Sequence, residues 1–503
     1  MAVMFAALRW NSYNAPLIRD EGEYAYSAQI LREGIAPYEH AFIQKPPMIV
    51  YSYALASFLF PHIFWSPRLL AYLFTALATL LLGIIARLEF GRFYAWPTMW
   101  LVTPMILLPG IDQFAANTEM FMLLPLLGAV ALYCYSRQRG HRPGHWFAAG
   151  FLCVATLLYK YTTLPVLAFV YVVWSVEMWR AVKNVNRFWQ CWLSAFVGGI
   201  VAAAAILGFF LMQDGGARLW ECTVLFNRYY VASSNFGLAE LGSRLHEFWS
   251  DWWILFLVPW AIFLKPQSRL WFWLGMFFSA IVATGASCYG HYYIIVMPFL
   301  ALLNGVGICA LAERVAQWLG RPAQPIKWML VILMMLLVLQ PDVPWLKCSR
   351  AQFAEVKMGQ WSPFLESQLV AKRIDELSSP GDPVFIAGSE PQILCYAKRS
   401  SPTRFITVYS MMIPSPVARN YQQEAIRDLQ KQPPKLIVVV QSSSSWLRQE
   451  TTPLDFFVFL NSILKQNYEL VGGYVKDGKQ NRWSEPLSTG EWAGASLKLF
   501  KRK

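Results

Sequence analysis

Charged side chains are scarce in this sequence, and several stand where an apolar run begins or ends. Asp20, Glu21 and Glu23 open a helical stretch that runs through Arg32 and closes at Gly34 and Pro37. A carboxylate held at a surface acts as a general base, taking a proton from an attacking hydroxyl or amine. Asp20, Glu21 and, further on, Glu119 are the candidates for that work. Lys45-Pro46-Pro47 sets an ammonium on a stiff stretch, and a lysine is a compact partner for a phosphate head group at a lipid boundary. Lys160 between two apolar runs, Arg228 in Asn227-Arg228-Tyr229-Tyr230 and His291 in Tyr289-Gly290-His291-Tyr292-Tyr293 are further candidates for binding an anionic head group.

Each has an ordinary reading beside the chemical one. Asp20 with Glu23 three residues on is a helix N-cap with an acidic third position. Lys45 is a snorkelling lysine before a proline-marked helix start. Glu119 complements the charge of a helix end, Lys160 anchors an interface, Arg228 is a loop charge, and His291 decorates an aromatic belt. The sequence has no nucleotide-binding glycine loop, no H-E-x-x-H, no G-x-S-x-G and no clustered metal ligands. A substrate delivered through lipid fits that absence.

The elements that must position these groups are membrane helices. Of 503 residues, 56% are hydrophobic and only 15% charged, more apolar surface than a soluble fold can hide. Apolar runs fall at about 67–86, 93–110, 119–136, 146–160, 162–179, 188–212, 252–264, 270–287, 293–312 and 327–341. The net charge of +13 lies largely in the gaps between them, which argues for loop charges that set orientation and against nucleic acid. Arg87, Arg92, Arg137, Arg139, Arg142, Arg180, Lys183, Arg187, Lys265, Arg269, Arg314, Arg321 and Lys327 occupy every second gap, predicted to be cytoplasmic. Asp112, Glu119, Lys160, Cys288 and His291 then share the other side with the chain beyond residue 341.

Two stretches stay open. Pro47–Trp65 either spans, which puts the Asp20 loop opposite Glu119 and Lys160, or lies in the interface, which puts it beside them. Met1–Trp10 is apolar but about half a span, so the first helix is either truncated or does not cross. From about residue 342 polar residues dominate, and β-rich runs at Pro383–Ala387 and Leu436–Val440 alternate with helical stretches such as Arg419–Gln430. The expected organisation is a transmembrane module, 1–341, whose segment 11–66 is a first loop, and a soluble α/β domain, 342–503. Cys134, Cys153, Cys191 and Cys309 read as small core residues, whereas Cys348 and Cys395 are candidates for pairing if their domain is extracytoplasmic.

Taken in order, Arg19-Asp20-Glu21-Gly22-Glu23-Tyr24-Ala25, the L-x-x-G at Leu31–Gly34, Lys45-Pro46-Pro47, Asn117-Thr118-Glu119, Leu157-Leu158-Tyr159-Lys160, His291-Tyr292-Tyr293 leading to Pro298, and Ile386-Ala387-Gly388 through Arg399 to Thr403-Arg404-Phe405 carry a resemblance. The chain resembles, over nearly its whole length, the polyprenyl-phosphate-dependent glycosyltransferases of the GT-C superfamily, in particular the aminoarabinose transferase and protein O-mannosyltransferase-like group. That resemblance implies a mainly α, polytopic GT-C fold with an extracytoplasmic first loop, juxtamembrane helices and a C-terminal soluble α/β domain. It implies Asp20 as base for the acceptor, Lys45 with Lys160 and His291 on the lipid phosphate, and Glu119 at a second acidic position. The chain departs from the aminoarabinose branch at Gln44, where relatives are acidic, and at Glu23, where they are basic.

The expected activity is transfer of a hexosyl or pentosyl group from a polyprenyl-phosphate donor to a lipid, glycan or protein acceptor, with inversion at the anomeric carbon. The expected setting is the bacterial inner membrane, with the site on its extracytoplasmic face. No cofactor is called for, and a divalent metal is left open. Two other classes stay open: a flippase or transporter of lipid-linked sugars that uses the same charges and breaks no bond, and a non-catalytic membrane scaffold whose soluble tail binds a partner.

Overall fold

The computed structural model describes residues 2–61, 63–107, 114–213, 215–233, 238–257, 259–260, 263, 269–285, 289–358, 363–477, 480–485, 491 and 494–503. Asp112, Cys288 and residues 258, 261, 262 and 264 of the expected span 252–264 lie outside them. Among the described residues six helical segments are long and apolar enough to cross a bilayer: Ser66–Phe90, Thr118–Arg139, Tyr161–Val182, Val185–Met212, Met297–Leu319 and Ala323–Lys347. The shorter Arg92–Met105, Pro143–Leu157 and Leu270–Thr284 helices pack among them. Many of their outward side chains, such as Leu73, Leu80, Leu193, Phe196 and Val282, are exposed apolar groups, as lipid-facing residues are. The protein is a multi-pass membrane protein.

Ion pairs sort the helix ends into two faces. Glu89 at the end of Ser66–Phe90 meets Arg137 at 2.6 Å and Arg269 at 2.9 Å, and Arg269 also pairs with Glu177. At the opposite ends of these helices Glu119 pairs with Lys160. Alternating apolar runs and short basic gaps therefore close up as antiparallel neighbours, with their charges neutralised at the edges of the apolar layer.

The Pro47–Trp65 ambiguity is resolved by length and contact. Its helix is Met48–Leu59, 12 residues, or about 18 Å at 1.5 Å per residue, against about 30 Å of hydrocarbon. Tyr53 Oη donates to the Ala116 carbonyl at 2.9 Å, and the Ala116 amide donates to Glu21 at 2.8 Å. The Arg19–Arg32 helix thus lies on the face that carries Glu119, not the one that carries Glu89.

Beyond the last span a five-stranded sheet forms, in the order β1-β2-β5-β3-β4, from β1 (Val384–Ala387), β2 (Leu436–Val440), β3 (Tyr468–Asp477), β4 (Gln480–Ser484) and β5 (Ala495–Arg502). β1 and β2 run parallel with Val384 opposite Leu436, and the remaining pairs are antiparallel. Both parallel strands are wholly buried, as their unbroken apolar sequences require. The expected candidate pair Cys348 and Cys395 is not joined: Cys395 Sγ instead donates to the Gly22 carbonyl at 3.3 Å, and Cys348 Sγ to that of Pro344 at 3.1 Å.

The contact from Cys395 to Gly22 marks how the sheet domain seats on the Arg19–Arg32 helix. A Cβ on Gly22 would lie 2.4 Å from the Gln392 amide nitrogen, so only glycine admits this approach. Arg19 donates to the Ser389 and Ser444 carbonyls at 2.6 and 2.8 Å and pairs with the buried Glu390 at 2.9 Å. The C-terminal domain and the first loop form one body around the residues that could do chemistry.

Candidate active site

The Arg19–Arg32 helix begins two residues earlier than the cap reading expects. Ile18, not Asp20, is the N-cap, and Glu21, at the third helical position, accepts the Ile18 amide at 3.2 Å. Glu21 therefore does the capping expected of the Asp20–Glu23 pair. Its remaining capacity is filled by Arg68, which engages both carboxylate oxygens, and by the Ala116 amide. Glu21 is 0% exposed with both carboxylate oxygens bonded, and it locks the loop to the Ser66–Phe90 helix. Asp20, half-buried one position before it, makes no hydrogen bond or ion pair among the described residues.

Lys45 is positioned by its backbone. Tyr38, in the left-handed region at φ 72°, has its ring against Phe210 and donates from Oη to the Lys45 carbonyl at 2.9 Å. A bulky residue held at positive φ is strained and persists only where its surroundings fix it. Asn227 Nδ2 donates to the Gln44 carbonyl at 2.8 Å, the Gln44 amide donates to Glu23 at 3.3 Å, and the Phe42 amide donates to the Arg404 carbonyl at 2.6 Å. The Lys45 ammonium is left without a hydrogen bond or ion pair among the described residues. Burial works against its charge, but Tyr292, Asp20, Glu119 and Glu23 outweigh burial and hold it above the usual lysine range.

Lys160 stands in extended backbone between the Pro143–Leu157 helix and the turn Tyr161–Thr163. Its ammonium pairs with Glu119 and lies 3.3 Å from the centre of the Tyr292 ring, while the other Glu119 oxygen accepts Thr118 Oγ1 at 3.0 Å. Glu119 is thereby the counter-ion of Lys160 rather than an open carboxylate. The His291 and Tyr292 rings meet edge-on at 4.7 Å, and both His291 and Lys45 lie close enough to Glu119 to act on its charge. Among the described residues no three His, Cys, Asp or Glu side chains gather as a metal-sized set, so the side chains present offer no ready cage for a divalent ion.

Compared with known proteins, the chain matches no family model and no curated protein sequence. Solved structures do match. ArnT from Cupriavidus metallidurans in the apo state superposes with a TM-score of 0.57 at 14% identity over 99% of this chain and 96% of that one. ArnT bound to undecaprenyl phosphate gives 0.55 at 13% identity, over the same shares of each chain. The oligosaccharyltransferase AglB from Archaeoglobus fulgidus, in complex with an inhibitory peptide and a dolichol-phosphate, gives 0.51 at 11% identity over 97% of this chain and 74% of that one. The chain has the GT-C fold.

Within this GT-C fold the expected residues divide into three groups. Asp20, Lys45, Glu119, Lys160 and His291 converge on one face, Glu21 is sealed beneath them, and Arg228 is exposed on the Phe226–Ser233 helix with no contact to the cluster among the described residues. Tyr230, two residues on, faces the site instead, where Tyr289, Tyr292, Lys45 and Asp20 all act on it. Sequence reasoning missed Arg68, Tyr230 and the role of Tyr292. For Arg68 a signal existed, since a lone arginine at the start of an apolar span needs a partner. For the tyrosines there was none beyond an aromatic belt.

Proposed function

We propose that the protein is a membrane glycosyltransferase that moves a sugar from a polyprenyl-phosphate donor to a lipid, glycan or protein acceptor, at the extracytoplasmic face of a bacterial inner membrane. The observation that carries this reading is the open Asp20 carboxylate beside the unpaired Lys45 ammonium, at one face of a GT-C fold. Two features support the details: a solved neighbour is bound to undecaprenyl phosphate, and the opposite helix ends carry the basic gaps that favour the cytoplasm.

In this reading an acceptor oxygen or nitrogen attacks the anomeric carbon from the side opposite the phosphate. The bond from that carbon to the phosphate oxygen breaks, its electron pair stays on the phosphate, and the acceptor's proton passes to Asp20. Lys45, with Lys160 and His291 behind it, stabilises the charge gathering on the departing phosphate. Glu119 acts through Lys160 by fixing where its ammonium sits. The test is to give purified protein a labelled polyprenyl-phosphate sugar with candidate acceptors and analyse the products by mass. Transfer lost in Asp20→Asn at unchanged membrane levels supports the assignment, wild-type transfer in that variant refutes it, and a sugar that crosses with its bond to phosphate intact indicates a transporter.

A further inference from the structure

Glu23 is a buried carboxyl group that the mechanism above does not use. It is 1% exposed, and one of its oxygens accepts the Gln44 amide at 3.3 Å, the residue before the phosphate-binding candidate Lys45. Asp20 lies three residues earlier on the same helix, one turn away and on the same face. The groups that act on Glu23 come from every side: Asp20 and Arg19 from its own helix and Lys45 from the proline loop. Tyr24 next to it, Tyr38 and, from the C-terminal domain, Tyr409 are coupled to it in turn. Asp20, Glu23 and Glu119 thus all act on one ammonium that has no ion pair among the described residues.

We propose that Glu23 is a positioning residue for donor phosphate: it holds the Lys45 loop through the Gln44 amide and, when it carries a charge, captures the Lys45 ammonium that would otherwise meet the phosphate. The proposal rests on the reading of Lys45 as the phosphate contact. Its physical basis is competition, because a carboxylate beside a buried ammonium is an anionic partner already in place. Burial, reinforced by the charge of Asp20, pushes the Glu23 carboxyl up to about 8. Below that value Glu23 is neutral and the carboxylates acting on Lys45 are those of Asp20 and Glu119. Above it Glu23 adds its own negative charge beside Lys45.

The experiment measures binding of a polyprenyl monophosphate to the full-length protein in detergent across pH 6–9, for wild type, Glu23→Gln and Lys45→Ala. Glutamine keeps the oxygen that accepts the Gln44 amide and cannot ionise. The fall in affinity from pH 7 to pH 9 is expected to be about tenfold greater in wild type than in Glu23→Gln. Titration of the phosphate itself, or of Lys160, is common to both proteins and cancels in the comparison. An alkaline loss as steep in Glu23→Gln as in wild type, or none in wild type, overturns the proposal while tight neutral-pH binding that depends on Lys45 leaves the functional reading standing. No binding by wild type at pH 7 overturns both. Infrared difference spectra of wild type supply a readout independent of ligand and of how the variant folds: a protonated-carboxyl band lost between pH 7 and 9 is expected, and a carboxylate already ionised at pH 6 overturns the proposal.

Discussion

At the scale of single residues, chemistry and structure are separated by what each carboxylate and ammonium is bonded to. Asp20 and Glu21 are neighbours in sequence, yet one is open and the other is closed by Arg68 and two amides. Asp20→Asn removes the base while keeping shape, and should lower the transfer rate by about 10²–10⁴-fold, measured as single-turnover product formation. Lys45→Ala removes a charge-assisted contact worth about 1.5–3 kcal/mol, which corresponds to about 10- to 150-fold in the donor KM. Lys45→Arg should restore part of it. An unchanged donor KM in Lys45→Ala would move the phosphate away from this loop. The residues were visible in the sequence as types and spacings; which of them were free was not, because Glu21 is satisfied by Arg68, 47 residues away, and by the Ala116 amide, 95 away.

At the scale of elements, the first loop is held between a span and a soluble domain. Arg68 engages Glu21 and also donates to the carbonyls of Ser12, Tyr13, Ala15 and Pro16 at 2.7–3.3 Å, so one guanidinium gathers the chain that leads into the Arg19–Arg32 helix. Arg68→Ala leaves a buried carboxylate without its partner, at a cost of about 3–5 kcal/mol. Its expected sign is a lower unfolding midpoint and poor yield, and replacing both partners with Glu21→Gln and Arg68→Met should recover part of the loss. Glu21→Gln alone separates the two roles of that position. A structural carboxylate yields a less stable enzyme whose remaining folded fraction works normally, whereas a catalytic one yields a stable enzyme with a lower kcat. The sequence marks the Arg19–Arg32 helix well, down to its end near Gly34, where φ is +79° and the Ile35 amide reaches back to Ile30 at 3.0 Å. Its start is displaced by two residues, because the cap at Ile18 has no side-chain acceptor of its own and is supplied from Glu21.

At the scale of the whole molecule, two faces and one docked domain decide what the site can reach. The basic helix ends meet Glu89 and Glu177 on one face, while Glu119, Lys160 and the first loop occupy the other together with the sheet domain. Membrane-impermeant maleimide should therefore label a cysteine at the exposed Glu33 from outside intact cells and fail to label one at the exposed Arg139 until the membrane is opened. The reverse pattern, in active protein, would place the site on the cytoplasmic side. Arg404 shows how closely the sheet domain is joined to the rest: it pairs with Glu221 at 2.9 Å and Glu424 at 2.7 Å, and its carbonyl holds the loop that leads to Lys45.

The sequence by itself determined the solvent, the succession of apolar helices and the two β-rich runs beyond residue 341, because these follow from the length and periodicity of apolar runs, which are local. It also named most of the side chains that converge, since charge beside hydrocarbon is rare enough to stand out. Only the tertiary structure decided on which face the Asp20 loop lies, that the Met48–Leu59 helix is too short to cross, and that Glu21 and Glu119 are counter-ions while Asp20 and Lys45 stay open. The reason is physical: a charge is committed or available according to partners tens of residues away, and that pairing exists only once the helices have packed.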